Sequence, residues 1–364
     1  MRLSNDDSHG GDVYALARGM GGGPDMLLDF SSNANLFALP LTRKLTEETP
    51  YPFEHYPDSG AAELVDAIAR FERIEPERVL PGNGASELIW LAVQALAPRK
   101  ALCIGPIFSE FVKAFRVFGI PYEVLTPPVD NKFTCTTEDL GKVWNTDADL
   151  VVLCTPNNPA GVTYDNILGL LDMLRAPRVI IDNSYKEFLH GTPDYEINSL
   201  HSYQRHLRPG VNLFTLHSFT KFFCCPGIRL GYLLGDRVQL GRMLRLRPSW
   251  TISTYAQNMG KIFLDSVEEY RETLSPLREA VKTLGSGLRG LSCMQAERIF
   301  EGPGFLCCGL AQGRNAKKIY DSLLKQHMVI RNCDTIPGMP QGFIRVRART
   351  GEENGRLLSA LARL

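Results

Sequence analysis

The feature that most restricts how this chain can fold is an alternation. Five short runs, "ALCIG", "LVVLCTP", "RVIIDNS", "NLFTLHS" and "IRLGYLL", are almost wholly apolar. Stretches with helical apolar spacing accompany them, among them "AAELVDAIARFE", "SEFVKAFRVFG" and "YDNILGLLDMLRA". A strand that lacks polar alternation is buried on both faces, so the pattern predicts an α/β fold: a mainly parallel sheet with helices on either side. After Trp250 a long helical tract leads to strand-like "GFLCCGLA" and "GFIRVRA", which predict a smaller α+β domain. The reading divides the chain into an N-terminal arm at 1–45, a large domain at 46–255 and a small domain at 256–364. The arm is expected to contribute to the small domain and the active site. The first forty or so residues read as irregular. The glycine cluster in "GMGGGPD" lacks the Lys-Ser/Thr of a phosphate loop and follows no strand, so it reads as a turn.

Charge and cysteine usage exclude several functions. Lys plus Arg and Asp plus Glu number 40 each in 364 residues, which gives no reason to expect a nucleic-acid or membrane-surface partner. The nine cysteines form no CxxC pair, and the adjacent pairs Cys224-Cys225 and Cys307-Cys308 are poorly placed to share a metal. They read as small apolar residues of a reducing compartment. With a polar N-terminus and no apolar run as long as a membrane span, a soluble cytoplasmic protein is expected.

Open α/β sheets bind ligands beyond the C-terminal ends of their strands, so chemistry is sought there. "PGNGASEL" (Pro81 to Leu88) enters a helix with exposed backbone N–H groups at Gly84, Ala85 and Ser86, an anion cup in which Ser86 is a candidate cap. "CTPNNPAG" carries Asn158, and "IIDNSYKEF" carries Asp182 and Tyr185. "SFTKFFCCPGIRLGYL" holds Ser218, Thr220, Lys221 and Arg229. A lysine between two core strands has its charge compensated or removed. Burial lowers its pKa and frees a neutral amine for condensation with an aldehyde. Each motif alone is explicable as a turn, a cap or packing. Together they meet the needs of pyridoxal 5'-phosphate (PLP): Lys221 for the aldehyde and Asp182 for the pyridine nitrogen. Asn158 and Tyr185 suit the ring hydroxyl, and Gly84, Ala85, Ser86, Ser218 and Arg229 suit the phosphate.

The set "PGNGASE", "CTPNNPAG", "DNSY", "SFTKF…PGIRLGYL" and "IRVRARTGEEN" resembles the class I/II, fold-type I PLP-dependent aminotransferases, over nearly the whole chain. "HGGDVY" and "LLDFSSNANLFALP" resemble the branch of that group that decarboxylates threonine phosphate more than the branch that transaminates histidinol phosphate. The chain departs from the usual pattern at Leu36-Phe37-Ala38, where Pro-Leu-Gly is common, and at Asn183-Ser184, where Glu-Ala is common.

The resemblance implies PLP-dependent decarboxylation of L-threonine O-3-phosphate to (R)-1-amino-2-propanol O-2-phosphate for cobamide synthesis. Transamination of histidinol phosphate or a related amino acid is the alternative. A binding or regulatory module without catalysis is a third reading, disfavoured by the intact Lys221 and Asp182. The resemblance further implies that Phe108 stacks on the pyridine ring and that Tyr56 reaches the PLP phosphate of a neighbouring subunit in a homodimer. By the same pattern Arg345 grips the substrate carboxylate. Arg347 and Arg349 alternate with it and are expected on the same face, where anions would offset their mutual repulsion. His9 and Asn33 are expected to supply further substrate contacts, with the N-terminal segment folded over the site.

Overall fold

In the computed structural model, which describes residues 10–164 and 166–364, the five apolar runs become adjacent strands of one seven-stranded sheet. In chain order the strands are β1 Val79–Gly82, β2 Ala101–Ile104, β3 Tyr122–Leu125, β4 Leu150–Cys154, β5 Arg178–Asp182, β6 Asn212–Ser218 and β7 Gly231–Leu234. Across the sheet they run β1-β7-β6-β5-β4-β2-β3. β7 is antiparallel to both neighbours, and the pairs from β6 to β3 are all parallel. The strands not foreseen, β1 and β3, lie at the sheet edges, and β3 is only partly buried.

The lack of polar alternation has a visible cause. Leu150 and Val152 of β4 pack with Leu88, Phe111, Phe115 and Met243 on one face. Val151 and Leu153 pack with Leu170, Leu171 and Phe263 on the other. Parallel pairing then brings the C-terminal ends of β4, β5 and β6 to one edge, with Cys154 beside Asp182 and Asp182 beside Leu216.

A second, antiparallel sheet is built from β8 Met294–Glu301, β9 Phe305–Leu310, β10 Arg331–Asn332 and β11 Phe343–Arg347, in the order β10-β11-β9-β8. The N-terminal segment is more regular than its composition suggested. It forms a helix at Val13–Gly19, and Leu28–Asp29 pairs in parallel with Met328–Val329. The pairing partner lies some three hundred residues away, so no local signal announces it. The backbone N–H of Arg347 donates to the Phe30 carbonyl (2.9 Å), and that of Asn35 to the Lys221 carbonyl (2.8 Å), which ties this segment to both sheets. All nine cysteines are free thiols and buried. Among the described residues no helix is long and apolar enough to cross a membrane.

Candidate active site

Beyond the ends of β4, β5 and β6 lies a cavity of about 470 Å³. Its lining includes Lys221, Asp182, Tyr185, Ser218, Thr220, Asn158, Phe108, Ala85, Ser86 and Arg229, with Asn33 and Arg345 on the small-sheet side. Lys221 occupies the four-residue helix Phe219–Phe222 that follows β6 directly. Ser218 caps this helix, its Oγ accepting from the Thr220 N–H (3.3 Å) and lying 2.8 Å from Thr220 Oγ1. Burial, followed by the nearby guanidinium groups of Arg345 and Arg229, lowers the Lys221 pKa to about 8, against the pull of Asp182. A neutral amine is therefore accessible near neutral pH.

Asp182 closes β5. Burial raises its pKa, while hydrogen bonds from the Ser184 side chain and backbone act in the opposite direction. The Ser184 N–H donates to Asp182 Oδ1 at 3.0 Å, so the aspartate does make the local turn contact that a purely structural role would require. Tyr185 is 2 % exposed, and its hydroxyl accepts from Asn33 Nδ2 (2.8 Å). Asn33 Oδ1 is buried with no partner and belongs to a pocket-lining residue, which leaves an acceptor waiting for a ligand donor.

The helix Gly84–Leu96 opens onto the pocket with its first-turn backbone N–H groups. Ser86 is not its cap. Glu87 takes the Asn83 N–H instead (2.5 Å), because a longer side chain can fold back past the first turn. Gly84 is needed twice over: its φ is +79°, and a Cβ there would stand 2.6 Å from an Arg229 guanidinium nitrogen. The helix start and Arg229 thus converge on one anion-sized space.

Arg345 donates to the Asn158 side-chain oxygen and to the Ser31 carbonyl (2.6 Å), and its Nε has no partner. The expectation for Arg347 and Arg349 is corrected. Arg347 does share a strand face with Arg345, but it donates to the Asp29 carbonyl (2.8 Å) and Ser32 Oγ (2.7 Å), and ion-pairs with Asp29 (3.4 Å). Arg349 lies beyond the end of β11 and bonds the Asp29 carbonyl (2.9 Å) and Glu353 (2.6 Å). The N-terminal segment covers both, and neither lines the cavity. Tyr56 is 79 % exposed, stacked on Trp250 at 4.6 Å, and does not line the pocket of its own chain. His9 lies outside the described residues; Gly10, next to it, lines the cavity. The sequence reading missed Ser32, Ser184, Lys113 and Arg331 in the lining. Lys113 was signalled weakly, one helical turn after the Phe108 motif; Arg331 sits on a two-residue strand too short to show a period.

The sequence pattern of the class I and II aminotransferases matches residues 25–361. The chain belongs to that family. It is 29 % identical to the threonine-phosphate decarboxylase of Salmonella typhimurium over 99 % of this chain and 97 % of that one. A histidinol-phosphate aminotransferase of Desulfitobacterium hafniense is 30 % identical over 86 % and 84 %. Among solved structures, the histidinol-phosphate aminotransferase of Clostridium acetobutylicum superimposes with a TM-score of 0.77 at 26 % identity, over 92 % of this chain and 98 % of that one. The fold is therefore that of fold-type I PLP enzymes, and PLP is the cofactor of this aminotransferase-family enzyme. The residues present fit it: a depressed lysine, a buried carboxylate and a glycine-floored anion cup with Arg229 against it. Bound PLP supplies an electron sink for bonds at the substrate Cα.

Proposed function

We propose that this enzyme is a carboxy-lyase that decarboxylates L-threonine O-3-phosphate to (R)-1-amino-2-propanol O-2-phosphate, for cobamide synthesis. The observation that carries the reading is the substrate wall of the pocket, where Arg345 keeps an Nε and Asn33 an Oδ1 with no partner. A guanidinium with an open edge suits a substrate carboxylate, and Asn33 Oδ1 suits a substrate donor. The phosphorylated substrate is supported by the similarity to the Salmonella threonine-phosphate decarboxylase over nearly the whole of both chains. In this reading Arg345, held by Asn158 and the Ser31 carbonyl, places the substrate carboxylate. Phe108 would pack against the bound cofactor's ring. Lys221 would move a proton at the substrate Cα, and Asp182 would hold the ring nitrogen charged. The residues present serve decarboxylation and transamination alike, and the orientation that Arg345 gives the substrate carboxylate would decide between them.

Transamination of histidinol phosphate or a related amino acid is the second reading, favoured by the 30 % identity to the Desulfitobacterium aminotransferase. Incubating the PLP-loaded protein with threonine phosphate, and assaying CO₂ and aminopropanol phosphate with 2-oxoglutarate as control acceptor, tests both. Release of CO₂ without consumption of 2-oxoglutarate supports the first reading; amino transfer without CO₂ overturns it. We further infer a cytoplasmic homodimer in which Tyr56 serves the neighbouring site. Its support is the exposed aromatic surface of Tyr51, Phe53, Tyr56 and Trp250 on a chain whose other large aromatics are mostly buried.

A further inference from the structure

We infer that Ser184 is a positioning residue that keeps the Asp182 carboxylate charged, and with it the proton on the cofactor's pyridine nitrogen; this rests on the role proposed above for Asp182. Two residues between Asp182 and Tyr185 depart from the Glu-Ala common in the family. Packing accounts for the first. Asn183 is buried, donates from Nδ2 to the Asn198 carbonyl (3.1 Å) and accepts at Oδ1 from the Tyr203 hydroxyl (3.3 Å). Ser184 is the second, and it lines the active-site cavity together with Asp182.

The turn after β5 does not need a serine. Asp182 Oδ1 accepts the Ser184 backbone N–H (3.0 Å), a bond that alanine would supply as well. The hydroxyl adds a second hydrogen bond to the same carboxylate, and among the described residues Ser184 is the source of both. Burial, the largest influence on Asp182, favours the neutral acid. Each hydrogen bond from Ser184 favours the anion instead, and the charge of Lys221 adds to them. A buried carboxylate that faces a pyridine nitrogen competes with it for one proton. Two donors on the carboxylate make it the weaker base, so the proton stays on the nitrogen. Hydrogen bonds to an ionised oxygen are the strong kind, and they are stronger still away from bulk water. Ser184 also borders a second cavity of about 20 Å³, whose walls include Lys186, Glu187 and His217. That space gives an added methyl group at position 184 somewhere to go.

The test loads the enzyme with nitrogen-15-labelled PLP and reads the pyridine resonance at a fixed neutral pH, where protonated and unprotonated nitrogens are well separated. The wild type is expected at the protonated position. Ser184→Ala installs the residue common in the family and so should keep the fold. It is expected to move the resonance toward the unprotonated position, with PLP affinity changed less than threefold. Ser184→Thr keeps a hydroxyl and is expected to match the wild type. Asp182→Asn serves as the reference for loss of the proton. If Asp182→Asn shifts the resonance, an unmoved signal in Ser184→Ala, or equal movement in Ser184→Ala and Ser184→Thr, overturns the role of Ser184 alone. If Asp182→Asn leaves the resonance unmoved, or the wild type is already unprotonated, the role of Asp182 falls together with that of Ser184.

Discussion

Two lysines near the site meet opposite fates. Lys186 directly follows Tyr185, and burial alone would lower its pKa, but the carboxylates of Glu72 and Glu187 more than reverse that. Its ammonium sits 3.1 Å from Glu72 and stays charged. Lys221 has arginines for neighbours and a pKa near 8. The cofactor-free protein should therefore capture added PLP at a rate that rises with pH through about 8 and then levels off, because the amine reacts only when neutral. Stopped-flow absorbance would show it; a midpoint near the free-lysine value, or an unchanged rate in Lys221→Ala, would contradict it. Asp182→Asn should keep the fold, since asparagine accepts the Ser184 N–H equally well, while turnover falls by about a hundredfold or more. Near-normal turnover would leave Asp182 with its turn role only. Lys221 was legible because apolar runs flank it. Arg347 was misjudged because alternation says which face a side chain takes, not what covers that face.

At the scale of elements, the ends of the helix Ala62–Glu72 and of strands β6 and β7 meet in a buried polar knot. Tyr232 Oη donates to Glu72 Oε1 (2.5 Å), His217 Nδ1 is 3.7 Å from the same atom, and the His217 and Tyr232 rings stack at 4.6 Å. Burial would raise the Glu72 pKa, but Lys186, His217 and Tyr232 bring it to about 2. Burial depresses His217 to about 4, against the attraction of Glu72. Both groups bind protons more readily unfolded than folded, so both make stability fall with falling pH. For His217 the loss runs from its ordinary value of 6.5 down to about 4, and for Glu72 from 4.5 down to about 2. Thermal unfolding followed from pH 7 to 4 should show Tm declining in the wild type and declining less in His217→Asn. Parallel curves would remove His217 as the cause. The sequence hid this knot because its members come from four separated elements, whereas the strands themselves declared their burial by lacking polar alternation.

At the scale of the whole molecule, the exposed aromatic surface carries the oligomer prediction. Tyr51 pairs with Tyr255 at 5.0 Å and Tyr56 with Trp250 at 4.6 Å. On the proposed dimer, replacing both Tyr56 and Trp250 with serine should shift the protein toward monomer in light scattering and reduce PLP affinity at least tenfold, because each site would then lose the tyrosine proposed to come from its neighbour. A variant that remains dimeric and holds PLP as before would refute that geometry. The large sheet was legible from its strand pattern, but the union of the chain's two ends was not, since two-residue strands such as Leu28–Asp29 carry no period.

That union has a consequence for how the enzyme is born. Arg345 bonds the Ser31 carbonyl across 314 positions, and Leu28–Asp29 waits for Met328–Val329. On the ribosome, the large sheet's strands, the lysine and the phosphate cup are complete before any strand of the small sheet has been made. Asn33 and Asn35 of the N-terminal segment can bond Tyr185 and the Lys221 carbonyl early, but Leu28–Asp29 and Ser31 wait for residues 328 to 345. Domains form as units as they emerge, and contacts of long sequence separation close last. A nascent chain can therefore hold the cofactor before it can hold a substrate, and the wall that selects what reacts is the final piece to arrive.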